Sequence, residues 1–421
     1  MSSGVREDAV TSTVTDDRAP TRDTVRSLVV KAAFTSPPAT RGEIAMRTGV
    51  SIPSVSRAVK DLLAEGLLEE GPVVARRGAG RRSQGLLPAR ALGCVIGVDF
   101  GPAMTRAVCR DMAGRILTTW EGETPESGEA EAHVRWIGSV VPQMLGSGLM
   151  DLPVRHLVLS FPSRVTERRA GLFDVRDGAR PQPQPIMVAD ELTRRFGFPV
   201  TFENESVAAL VAELDAMPEP RPYCAVLISV SQRVTAAIAL GGVIMRGERQ
   251  AAGMIGGLPF GASGEPVSTA LTMPAIAREL DRIGLAMTGW NELISGDSSS
   301  ERIDRIRERF IAGLTLVTAA VAGSVDPDVV IYDGRVLPLV HQVLDDVRTR
   351  LDGVLPVVPE LRLSRDSSLF SSANGAALLA LDAAKRSLLD AVVGAPGGQV
   401  RVLSKPNAPE VPDLPGPDTD R

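Results

Sequence analysis

Two stretches of the chain, about 130 residues apart, begin in the same way. The first, LGCVIGVDFG (Leu92–Gly101), is an apolar run that closes on Asp99 and Gly101, and the alternating residues of TRAVCRDMAGRILTTWEGETP continue it as a second and third strand. The second, PYCAVLISVSQRVTAAIALGGVIMRG, repeats the strand, turn and strand. Near-continuous apolar runs of this kind read as buried strands. RHLVLSFPSRV is another, and so is DPDVVIYDG, which ends at Asp333–Gly334. FPVTFENESVAALVAEL passes from strand to helix at Asn204–Glu205, and SSANGAALLALDAA is a small-residue helix. The repeated opening predicts a duplicated α/β body over residues 92–394, with two lobes facing a cleft.

Composition agrees with a large aliphatic core: 44% of the residues are hydrophobic but only 4% aromatic. Charge divides the chain. Arg22–Arg90 carries 12 Lys and Arg against 6 Asp and Glu, a net of +6, which leaves −11 for the rest of a chain whose total is −5. A basic head on an acidic body points to a head that meets a polyanion. Cys94, Cys109 and Cys224 show neither C-x-x-C nor C-x-C spacing, so no metal site is signalled, and buried free thiols of a reduced compartment are expected. Residues 1–20 lack an apolar core and read as disordered rather than as a secretory signal; residues 395–421, rich in proline, read as a solvated tail. No apolar run reaches the ~20 residues that span a bilayer, so a cytoplasmic protein with no membrane partner is expected.

The head, residues 21–90, reads as short helices. In TRGEIAMRTGV, Thr40 and Glu43 form a capping box and Gly49 supplies the stop. In SIPSVSRAVKDLLAEGLL, Ser51 is the N-cap and Pro53 sits in the first turn; Val55, Val59, Leu62 and Leu63 make one apolar stripe. Upstream, Val25, Leu28, Val29 and Ala32 form a stripe on a helix from Thr24 to Ala33. LLEEG and PVVARRGAGRRSQGLL read as two strands around a glycine-rich tip. The order is that of a winged helix-turn-helix, whose second helix enters the major groove of double-stranded DNA. On that reading Ser54, Ser56 and Arg57 reach base edges. Lys60, Arg41 and the wing arginines Arg76, Arg77, Arg81 and Arg82 hold phosphates or the minor groove, and Thr40 and Ser51 are further DNA-binding residues.

Val50–Leu67 is similar to the recognition helix of winged regulators that couple DNA to a ligand domain, and with the body it resembles the ROK family (repressor, open reading frame, kinase) over about residues 24–392. The resemblance implies a two-lobed actin/hexokinase-like (ribonuclease H-like) fold behind the winged helix, and either sugar kinase activity or sugar-responsive repression. The family's site motifs are eroded here. Where it has D-x-G-G-T/S, Asp99 and Gly101 remain but Pro102 and Ala103 replace the rest, and proline has no N–H for a phosphate. The sugar and base motif E-N-D-A-N-A is Glu203, Asn204, Glu205, Ser206, Val207, with Asn204 at a sugar-contacting position and Glu205 in place of the catalytic aspartate. The second phosphate loop is Ser231, Gln232, Arg233, Val234. A-G-E-I-G-H becomes Ala252, Gly253, Met254, Ile255, Gly256, Gly257, and the zinc-binding cysteine cluster is replaced by GLPFGASGEPVSTAL.

The resulting expectation is a DNA-binding transcriptional regulator, a repressor, with no catalytic residues, metal or cofactor, acting as a homodimer on a palindrome. Asp99, Asn204 and Glu205 either line a vestigial pocket for a small-molecule effector of unknown type or border an empty cleft. The rival readings are a sugar-responsive regulator or sugar kinase that uses the cleft, and an interaction protein whose head docks another protein.

Overall fold

The computed structural model describes residues 22–74, 83–101, 103–125, 130–161, 185–218, 220–248, 251–295, 300–365 and 370–394. The chain forms two compact units: the first runs to Ala89 and includes the segment from Leu388, and the second begins at Arg90 and includes everything to Ser387.

The first unit comprises α1 (Arg22–Thr35), β1 (Ala39–Thr40), α2 (Arg41–Thr48), α3 (Ile52–Ala64), β2 (Leu68–Val74) and β3 (Ser83–Pro88). Its three strands are antiparallel in the order β1-β3-β2. Local chemistry sets the helix ends. Thr40 Oγ1 accepts from the Glu43 amide at 3.3 Å while Glu43 Oε2 accepts from the Thr40 amide at 2.8 Å, so two otherwise unpaired donors are satisfied at the start of α2. Gly49, at φ 69°, ends α2 in a left-handed turn that a side chain would strain. Ser51 Oγ then accepts from the Ser54 amide at 3.4 Å and opens α3. The core face of α3 is Val55, Ala58, Val59 and Leu62, and an ion pair of Arg26 with both carboxylate oxygens of Glu65 ties α1 to the end of α3. α1 is longer than Thr24–Ala33 and buried over a wider arc. Val25, Val29, Val30, Ala33 and Phe34 are buried, whereas Leu28 and Ala32 are only partly so, because α1 packs on α2, α3 and β3 together.

In the second unit, β4 (Cys94–Phe100), β5 (Met104–Asp111), β6 (Ile116–Glu123), α4 (Ala130–Leu149), β7 (Val154–Phe161), α5 (Pro185–Phe196), β8 (Val200–Asn204) and α6 (Glu205–Ala216) build the first lobe and its exit helix. The second lobe follows with β9 (Cys224–Val230), β10 (Val234–Leu240), β11 (Val243–Ile244), β12 (Pro259–Phe260), β13 (Glu265–Pro266), α7 (Ser268–Leu271), α8 (Met273–Arg282), α9 (Ala286–Ser295), α10 (Glu301–Val325), β14 (Val329–Asp333), α11 (Leu337–Asp352), β15 (Glu360–Leu363) and α12 (Ser371–Gly394). The duplication is literal in the sheets, ordered β6-β5-β4-β7-β8 and β11-β10-β9-β14-β15. In each, an antiparallel three-strand meander is followed by two parallel strands.

Each lobe sends its last helix to the other. α6 leaves β8 and lays Val207, Ala209 and Leu210 on Ala225, Leu227 and Ala237 of the second sheet. α12 leaves β15 and sets Ala373 and Ala377 on Val108 of the first. The small residues of α12 follow from these close approaches: a Cβ on Gly97 would lie 2.1 Å from the Ala377 nitrogen, and one on Gly375 would lie 1.7 Å from the Ala208 carbonyl oxygen. α10, by length and composition, is long and apolar enough to cross a membrane. Its Phe310, Leu314, Val317 and Val321 are buried in the second lobe's core, and its Thr318 hydroxyl meets the buried Tyr332 hydroxyl at 2.8 Å.

Candidate functional site

The first candidate is the outward side of α3. With Val55, Ala58, Val59 and Leu62 turned to the core, Pro53, Arg57, Lys60 and Ala64 are exposed, and Ser54 and Ser56 are half-buried. Arg57 and Lys60 therefore project from one helix face, as the sequence pattern requires. Ser51 and Ser54 are engaged with each other, hydroxyl to hydroxyl at 2.9 Å, so they act first as the helix cap. Thr40 is 8% exposed and its hydroxyl also contacts Glu43 Oε2 at 2.9 Å, so it acts first as the cap of α2. Arg41 faces Glu70 at 3.7 Å, a loose and partly exposed pair that a phosphate can displace. Arg76, Arg77, Arg81 and Arg82 lie outside the described residues. Sequence reasoning passed over Arg47 and Met46 on α2 and Ile52 at the head of α3, all exposed. A broken apolar period at positions 46 and 52 was the available signal.

The second candidate is the cleft between the lobes. Asp99 is the next-to-last residue of β4, Asn204 ends β8, Glu205 starts α6, and Asp333 ends β14. The duplicated topology brings Asp99, Glu205 and Asp333 within electrostatic reach of one another and of Arg335, with Arg106 near Asp99 and Arg233 near Glu205. Burial pushes the Asp99 carboxyl up to about 6, against the nearby Ser160 hydroxyl and the Arg106 charge. Burial, then the charges of Asp99 and Asp333, push Glu205 up to about 8, against Arg233 and Arg335. Asp333 and the arginines were not singled out as site residues in the sequence, because only the fold joins them to Asp99.

The motif positions keep the frame and lose the groups. Asn204 Oδ1 accepts from the Ser206 amide at 2.9 Å and caps α6. The first amide of each turn closes the turn itself: Gly101 N–H bonds to Met104 O at 3.1 Å and Ser231 N–H to Arg233 O at 3.0 Å. Pro102 lies outside the described residues. Gly253 is held because a Cβ there would lie 1.8 Å from the Ala236 oxygen, whereas Met254 and Gly257 put no acid and no imidazole where the family has them. Beside the motif, Arg246 donates to Glu203 Oε2 at 2.6 and 3.0 Å and links the lobes. Among the described residues no three of His, Cys, Asp and Glu are grouped to hold a metal.

The raised Glu205 value makes a signed prediction. The folded chain holds this proton more tightly than the unfolded chain, so stability falls as pH rises from the ordinary value of 4.5 through about 8. Glu205→Gln removes the ionisation. Its unfolding free energy is expected to exceed that of the native chain by roughly 4 kcal/mol more at about pH 9 than at about pH 5. An equal difference at both pH values would place Glu205 in solvent.

A MarR family model matches residues 35–78, which span α2, α3 and β2. No curated protein sequence matches the chain. A ROK family transcriptional regulator, a homolog of the E. coli MLC protein, superposes with a TM-score of 0.66 at 16% identity, over 87% of this chain and 98% of that one. A ROK hexokinase from Thermus thermophilus gives 0.56 at 21% identity, over 70% and 99%. A ROK family glucokinase from Streptomyces griseus, in complex with glucose and AMPPNP, gives 0.55 at 21%, over 69% and 100%. The chain therefore joins a MarR-type winged helix to the two-lobed fold of the ROK proteins.

Proposed function

We infer that the chain is a sequence-specific DNA-binding transcriptional regulator whose two-lobed unit has given up phosphoryl transfer. The observation that carries this reading is the polar, cationic outward face of α3 on a winged-helix unit. The direction proposed is repression, in keeping with the resemblance to sugar-responsive repressors, and the place of action is the cytoplasm. α3 enters the major groove; Arg57 and Ser56 reach base edges, while Arg41, Lys60 and the wing arginines hold phosphates. One short helix reads few base pairs, so a homodimer on a palindromic site is part of the proposal. Arg57→Ala is expected to change which sequences a random duplex pool yields, at a cost of about 1–3 kcal/mol for the original site. Unchanged preference would assign the head to protein docking.

The loss of phosphoryl transfer is supported by the cleft. The acid at position 254 is a methionine and the second phosphate loop carries Arg233. Incubation with ATP, magnesium and common hexoses is expected to release no ADP above background. ADP release abolished by Glu205→Gln would establish a kinase instead. Glucose-like effectors are expected to give no thermal shift, since Met254 and Gly257 supply none of the ligands a sugar needs.

A further inference from the structure

Of the large apolar side chains of α3, Ile52 is the one left exposed, at 57%. The core face is complete without it, in Val55, Ala58, Val59 and Leu62. Nor does the helix gain from it: a β-branched side chain at the first helical position has poor propensity and loses χ1 freedom. Ile52 heads the row Ile52, Ser56, Lys60, spaced by four and therefore on one flank of the helix. It is thus an aliphatic group held at the N-terminal end of the helix, beside residues that face DNA. The N-terminal residues of a recognition helix are those that meet base edges. In the major groove the apolar group on a base edge is the C5-methyl of thymine; serine accepts any base, and arginine prefers guanine.

We propose that Ile52 reads the 5-methyl group of one thymine in each half-site and sets specificity for a T·A pair that the serines and Arg57 do not distinguish. The assignment rests on the DNA-binding reading above. The test starts from the full chain and a random duplex pool. The enriched duplex is resynthesised with each thymidine in turn replaced by deoxyuridine, which removes the methyl and leaves the base's hydrogen-bonding edges and pairing unchanged. Affinities are measured for the native chain, Ile52→Val and Ile52→Ala; because the side chain is exposed, both variants are expected to keep the native circular dichroism spectrum.

For the native chain and Ile52→Val, replacement at one position per half-site is expected to weaken binding about three- to five-fold, the value of one buried methyl. Ile52→Ala is expected to bind the thymidine and deoxyuridine duplexes equally. Tolerance of every replacement by the native chain, or an equal penalty at the same position in Ile52→Ala, would overturn the assignment while leaving DNA binding intact. A pool from which nothing is enriched would overturn the DNA-binding reading itself, and the role of Ile52 with it.

Discussion

Gly375→Ala is expected to destabilise the two-lobed unit by more than about 4 kcal/mol, seen as loss of the cooperative unfolding transition or of soluble protein. The added methyl would lie 1.7 Å from the Ala208 oxygen, 2.5 Å from its carbonyl carbon and 3.1 Å from its Cα. All three are backbone atoms of α6, so no side chain can rotate to make room. Relief requires moving α6 off β9 and β10 or α12 off Val108, and either movement opens a buried interface. Gly148→Ala, at an exposed position near the end of α4 with nothing within 4 Å, is the matched control. Its midpoint is expected to stay within about 1 kcal/mol of native. A Gly375→Ala chain with a native midpoint would show that α6 and α12 do not cross there.

The affinity for DNA is expected to fall by roughly 10³-fold or more between about 50 mM and about 200 mM salt, since neutralising about six to ten phosphates releases as many counterions. The chain carries Arg41, Arg47, Lys60, Arg76, Arg77, Arg81 and Arg82, so two copies in the proposed dimer would reach that number. Arg81→Ala with Arg82→Ala should weaken all duplexes alike and flatten the dependence of log K on log salt by about one for each phosphate no longer neutralised. Arg57→Ala should shift sequence preference and leave that slope nearly unchanged, because an arginine on a base edge displaces few counterions. A native slope near zero would remove the electrostatic basis of the proposal.

What could be read without the fold was local. The Thr40–Glu43 box and the Ser51 cap span four residues each, and the passage from strand to helix at Asn204 needs only an asparagine that bonds two residues ahead. The repeated apolar openings announced two sheets because burial on both faces leaves its mark along their central strands β4 and β9. What stayed hidden was whatever depends on residues far apart. Asp333 comes within electrostatic reach of Asp99 although β14 and β4 lie in different sheets, and no spacing of residues encodes that. Thr40 looked available to DNA because a hydroxyl in a basic segment reads the same whether it caps a helix or faces a phosphate. The burial of Val30 and Phe34 follows from α1 meeting α2, α3 and β3 at once, which a single helical stripe does not anticipate.

A cross-linker placed on α3 reads whether that helix lies against DNA. Cys94, Cys109 and Cys224 are all buried, so Lys60→Cys would carry the single exposed thiol among them and take a photoactivatable label selectively. Bound to the enriched duplex, this chain is expected to cross-link to bases inside the selected motif, whereas Val357→Cys, at an exposed position of the second unit, gives none. Absence of cross-links from position 60, or equal cross-linking from position 357, would contradict the account.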